Sequence, residues 1–174
     1  MAKLYRYGFC LWALLFTQLL AAQVLPEKFQ SGHISHGGVF GFTLSPDGKT
    51  ALWVESQGKR EKLYIKQSQL LNGKWTPAKT ASFSTESNQW KDIDPIFSPQ
   101  GDLVLFQSNR PILSTEKELK KDFDIWAVRK TATGWSEAFH LGMEVNSEAS
   151  ESYASITRYG NIYFMKDHEN QPGN

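Results

Sequence analysis

The sequence predicts an all-β chain arranged as part of a β-propeller, and three observations predict it. A short phrase returns three times, as GFTLSPDGKTALW from Gly41, DPIFSPQGDLVLF from Asp94 and YASITRYGNIYF from Tyr153. Ser45, Ser98 and Thr157 hold the same place in each copy, at steps of 53 and 59 residues. That interval is far too long for a helix period and marks repeats that cannot bury their own apolar faces alone. The first two copies also continue alike. Lys62–Lys66 is matched by Phe123–Val128, and W-x-x-A recurs at Trp75–Ala78 and Trp135–Ala138. Four strands in somewhat more than 50 residues make one propeller blade. Finally, eleven Phe, six Trp and six Tyr among 174 residues favour strands packed on pleated surfaces.

The chain opens with a processing signal. Lys3 and Arg6 precede the apolar run Phe9–Leu20, and the small pair Ala21–Ala22 follows. This is the order of a secretory signal peptide, expected over residues 1–22. The run is shorter than the ~20 residues a spanning helix needs, so no stable membrane span is expected after cleavage. The expected destination is the periplasm or the exterior of the cell. The only cysteine, Cys10, leaves with the leader, so burial alone must hold the mature chain together. Loss of Lys3 and Arg6 brings 19 basic residues to 17 against 18 acidic ones, a net charge of −1. That balance offers no basic patch for nucleic acid.

Residues 23–36 read as a lead-in without periodicity, and residues 37–174 as the propeller repeats. The first blade is expected over 39–83, the second over 92–142 and a partial third over 151–167. Ser45-Pro46-Asp47-Gly48 has the chemistry of a type I turn: a hydroxyl first, proline to preset φ, and glycine last. Ser98–Gly101 repeats it with Gln100 in place of the aspartate, while Thr157–Gly160 keeps only the hydroxyl and the glycine. Leu103–Phe106 and Ile162–Met165 are continuous apolar runs, the pattern of strands covered on both faces. The polar stretch around Lys117–Lys121 is expected to be a surface insertion, with room for one helical turn.

Taken together, SPDGK, Phe97–Pro111, Asp122–Val128, Gly134–Gly142 and Val145–Thr157 resemble the WD-repeat-like, TolB-type propeller repeat of exported bacterial proteins. The resemblance covers nearly all of residues 37–166. It implies a propeller, and it is far less specific for activity, because such rings serve as scaffolds, binding proteins and the non-catalytic domains of peptidases. Propellers close with typically 4–8 blades, and this chain carries two full copies and part of a third. It is expected to be an N-terminal piece of a longer protein, the alternative being a short chain that closes its ring by self-assembly.

Candidate site residues follow from the repeat frame. Asp92 and Glu151 each stand six residues before the turn hydroxyl, where the first strand of a blade enters the channel. Recurring acids there are candidates for a cation ring, calcium being the ion suited to oxygen ligands. Asp94 and Glu148 lie nearby, Val39 fills the position in the first copy, and the other reading has the acids accepting loop hydrogen bonds. Trp90, outside the repeated frame, and Arg110, in Asn109-Arg110-Pro111, are candidates for a ligand or partner contact; the other reading makes Arg110 a loop anchor. Trp75, Trp126 and Trp135 are expected to pack between blades. His33-x-x-His36 lacks a third ligand at zinc spacing and reads as two exposed loop histidines, and His140 and His168 read as incidental. No G-x-S-x-G elbow and no glycine-rich phosphate loop is present.

The expected function is that of an exported binding scaffold for a protein or small ligand, with no catalysis of its own and no resident cofactor. The alternative is the N-terminal propeller of an exported serine hydrolase of prolyl-oligopeptidase type, whose catalytic domain this chain lacks.

Overall fold

A computed structural model describes residues 25–30, 32–112 and 120–167 of the chain. The expected signal peptide, Lys117 of the polar insertion, His168 and the tail from residue 169 lie outside the described residues. The described residues are all β, in twelve strands. No helix among them is long and apolar enough to cross a membrane.

Sheet 1 runs β1 (Val39–Leu44), β2 (Thr50–Gln57), β3 (Lys62–Leu71), with the short β4 (Lys74–Trp75) and β5 (Lys79–Thr80) both on β3. β4 and β5 are one fourth strand, broken at Thr76–Ala78. Sheet 2 repeats the plan with β6 (Asp92–Phe97), β7 (Leu103–Ser108), β8 (Asp124–Thr131), β9 (Gly134–Trp135) and β10 (Phe139–His140). Sheet 3 holds β11 (Glu151–Ile156) and β12 (Ile162–Lys166). Every pairing is antiparallel. The architecture is a partial β-propeller of two complete blades and the first half of a third.

The turn chemistry works as its sequence implies. The amides of Gly48, Gly101 and Gly160 close back on the carbonyls of Ser45, Ser98 and Thr157 at 2.8, 2.9 and 3.1 Å. In the first turn Ser45 Oγ donates to Asp47 Oδ1 at 2.6 Å. The second turn has no aspartate at Gln100, and Ser98 Oγ reaches Asp102 Oδ1 instead, at 2.7 Å. The third turn differs in length. Leu44 pairs with Ala51 and Phe97 with Val104, but Ile156 pairs with Ile162. One residue is missing between Thr157 and β12, so Ile162 and Phe164 are the structural equals of Val104 and Phe106.

Each first strand carries a β-bulge at the same point, four residues before the turn hydroxyl. Gly41, Asp94 and Tyr153 sit there with φ of 57°, 49° and 50°. A left-handed residue inserted in a strand bends it and sharpens its twist.

The core lies between sheets, as a propeller requires. Leu52, Ile65, Ala81 and Phe83 of sheet 1 pack on Phe97, Val104, Phe106, Trp126 and Val128 of sheet 2. Trp135 completes this junction, edge-on to Phe83 at 6.0 Å, with its Nε1 donating to Gln67 Oε1 of sheet 1 at 3.2 Å. The opposite face of sheet 2, including Leu105, Ile125 and Ala127, takes Ala154, Ile156, Ile162 and Phe164 of sheet 3.

The lead-in is more than a tether. Ile34 is 1% exposed and packs on Ala51 and Trp53, and Phe29 lies edge-on to Trp75 at 5.6 Å. His33 is half-buried with Nε2 at 2.9 Å from the Thr76 carbonyl, and His36 pairs with Glu55 at 3.3 Å. His33 thus departs from its reading as an exposed loop residue, while His36 is exposed as expected and still finds a partner in sheet 1.

Candidate functional site

Two buried polar clusters form where blades meet, at the end of the sheets opposite the glycine turns. In the first, Asp92 opens β6 and pairs across to Ser108 at the end of β7. Its Oδ1 accepts from Ser108 Oγ at 2.7 Å and from the Arg110 guanidinium at 2.6 Å. Its Oδ2 accepts from Ser84 Oγ at 2.7 Å and from Trp90 Nε1 at 3.3 Å. Ser84 also accepts the Ile65 amide at 3.0 Å, so it ties Asp92 to the closing loop of sheet 1.

Arg110 turns inward. Its guanidinium donates to the Phe83 carbonyl at 3.0 Å and to Ser108 Oγ at 3.0 Å. It also lies 5.3, 5.1 and 5.3 Å from the ring centres of Trp90, Phe106 and Trp126. The planar guanidinium suits this place, because it stacks on aromatic faces while its edges donate. Trp90 is half-buried as one wall of this stack.

The second cluster forms between sheets 2 and 3. Asp124, fully buried at the start of β8, accepts from Lys120 Nζ and lies 3.1 Å from His140 Nε2. Lys120 Nζ also donates to the Ser147 carbonyl at 2.6 Å. Asn146 binds both backbone groups of Ile125, taking the amide at 2.7 Å and donating to the carbonyl at 3.0 Å. The Gly142 amide donates to His140 Nδ1 at 3.1 Å, and Asn146 Nδ2 lies 2.9 Å from His140 Nε2. His140 is thus a structural partner, contrary to its reading as incidental. Nothing local marked it, since Asp124 lies 16 residues away in sequence.

Glu151 opens β11 as Asp92 opens β6. Its carboxylate accepts the amide and the hydroxyl of Ser147, at 3.1 and 2.5 Å, from the closing loop of sheet 2. Asp92 and Glu151 therefore perform one task in two places: each holds a serine hydroxyl of the preceding blade's last loop. The Arg110 charge against Asp92 opposes a cation there. Among the described residues, no group of three or more His, Cys, Asp or Glu is placed to hold a metal ion. Glu148 is exposed and joins neither cluster.

Asp94 stands apart from both clusters. It occupies the bulge of β6, where Oδ2 accepts from Gln107 Nε2 at 3.2 Å and Oδ1 lies against the backbone of Gly41. A Cβ on Gly41 would sit 2.8 Å from that oxygen. Burial pushes the Asp94 carboxyl above the ordinary carboxylate range, and the Arg60 charge and the Gln107 bond pull against this.

No protein-family model matches the chain, and no curated protein sequence matches it. Among solved structures it is similar to a protein assigned as TolB from Agrobacterium tumefaciens, at 18% identity and a TM-score of 0.52. The match covers 79% of this chain and 43% of that one, so the chain spans less than half of that protein's length. At this identity the likeness shows a TolB-like propeller fold.

Proposed function

We propose that this chain is an exported β-propeller module that acts as a scaffold for a protein or small ligand and performs no catalysis of its own. The observation that carries this reading is the use made of its buried polar groups. Asp92, Arg110, Asp124, His140 and Glu151 each spend their hydrogen-bonding capacity on other parts of the fold. A catalytic acid or base needs reach to a substrate proton, and these groups face neighbouring loops and strands instead. The TolB-like fold supports the same reading, because such rings commonly present loops on a rigid frame.

Export rests on the leader at residues 1–22. Fusing that segment to a reporter that is active only outside the cytoplasm gives activity if the reading is right and none if it is wrong. The competing reading places a serine hydrolase domain beyond residue 174. A fluorophosphonate probe applied to the full gene product separates the two. The scaffold reading expects no labelling and no peptidase turnover, and labelling of a serine overturns it.

A further inference from the structure

Two hairpins of sheet 1 make left-handed turns from opposite kinds of residue. Between β3 and β4 the turn is Asn72-Gly73, with φ of 50° and 75°. That pair suits such a turn, because both central residues must take a positive φ. Between β2 and β3 the same places fall to Lys59 and Arg60, with φ of 53° and 72°. The Glu61 amide closes this turn on the Gly58 carbonyl at 3.2 Å. Asparagine and glycine tolerate a left-handed backbone far better than long side chains do, and strain of this kind collects where a side chain has a task. The turn itself gives no reason for either cation.

The fold uses only part of Arg60. Phe40 pairs with Val54, two residues from Leu52, on the face of sheet 1 that sheet 2 covers. The Arg60 guanidinium lies over the Phe40 ring, 4.7 Å from its centre, and its charge bears on Asp94 of β6. Among the described residues no ion pair or hydrogen bond takes up its donors. Arg110, by contrast, donates to Asp92, Ser108 and Phe83. Lys59 is exposed and has no ion pair among those residues either, and Glu61 folds back against Gly58.

A guanidinium with its face on a ring and its edge open is set to receive a carboxylate through two parallel hydrogen bonds. The ring and the turn already hold it, so docking immobilises little more. Asp94 nearby opposes a second negative charge, which favours a carboxylate over a phosphate dianion. We propose that the Lys59-Arg60 turn docks an acidic peptide segment of a partner protein, Arg60 gripping one side-chain carboxylate edge-on and Lys59 steering the approach. This rests on the scaffold reading, which serine labelling tests; peptide binding tests the docking site separately.

The test is fluorescence anisotropy on the full chain, with a labelled hexaglutamate peptide of blocked termini as the probe. The parent chain is expected to bind it. Lys59→Asn with Arg60→Gly installs the pair that the turn favours, and is expected to weaken binding by about tenfold or more with the melting temperature unchanged or higher. Lys74→Gln with Lys79→Gln removes equal charge elsewhere in sheet 1 and is expected to change binding by less than about twofold. A parent chain that ignores the probe overturns the proposal, as does binding that survives the turn substitutions. So does a turn variant that melts lower, since the cations then serve the fold. Equal weakening by the Lys74 and Lys79 substitutions also overturns it, as an effect of net charge alone. Tighter binding of a phosphoserine peptide of equal charge overturns the choice of carboxylate.

Discussion

Arg110 and Asp92 form a nearly water-free ion pair in which both Asp92 oxygens accept further bonds and the guanidinium also donates to the Phe83 carbonyl and Ser108 Oγ. Such a pair is weak evidence of stability when compared with an apolar replacement, yet breaking it leaves one buried charge alone. Arg110→Ala is therefore expected to cost about 3–5 kcal/mol in urea unfolding. Arg110→Lys should not restore the loss, because an ammonium cannot stack on Trp90 and Phe106 while serving three acceptors. A shift under about 1 kcal/mol would show the pair to be idle. Asp94 gives a pH prediction with a definite sign. Its carboxyl is raised in the fold, so the stability it contributes is present in acid and lost as pH climbs through its folded pKa. Asp94→Asn should thus raise the melting temperature at pH 7, with the difference shrinking below about pH 4. A gain that is the same at both pH values would remove the electrostatic account.

The first strands show what a single element can hide. Asp94 and Tyr153 carry the left-handed φ at the same bulge in the other copies. What requires glycine at Gly41 is therefore the Asp94 carboxylate and Val54 side chain beside it, 2.8 and 3.0 Å from where a Cβ would sit. Gly41→Ala is expected to destabilise by more than about 1 kcal/mol in thermal unfolding, and a neutral result would mean the bulge relaxes freely. The glycine turns and matched strands were legible in the sequence because they depend on local chemistry: a hydroxyl, a proline and a glycine at fixed offsets. The third turn was legible only up to Gly160. Its hydroxyl and glycine kept their places, but the missing residue before Ile162 shows only in the pairing with Ile156. The lead-in was illegible for a related reason. Ile34 is a single apolar residue in an irregular loop, and its burial follows from Trp53 in another element. The recurring acids were visible as a pattern, while their partners, Ser84 and Ser147, lie in loops whose lengths differ between copies. Those partners also give a reason for Val39 at the same position in the first copy: the lead-in, rather than a closing loop, stands beside it.

At the scale of the molecule, cohesion comes from the junctions between sheets. Sheets 1 and 2 share one cluster running from Leu52 to Trp126, and neither could bury its apolar face without the other. The most direct test is hydrogen exchange on Phe106→Ala, a substitution in sheet 2 expected to cost about 3–5 kcal/mol. If the sheets are one cooperative unit, protection in β2 and β3 of sheet 1 falls as far as in β7 and β8. Loss of protection confined to sheet 2 would show that each sheet stands by itself and would contradict the propeller account of this chain.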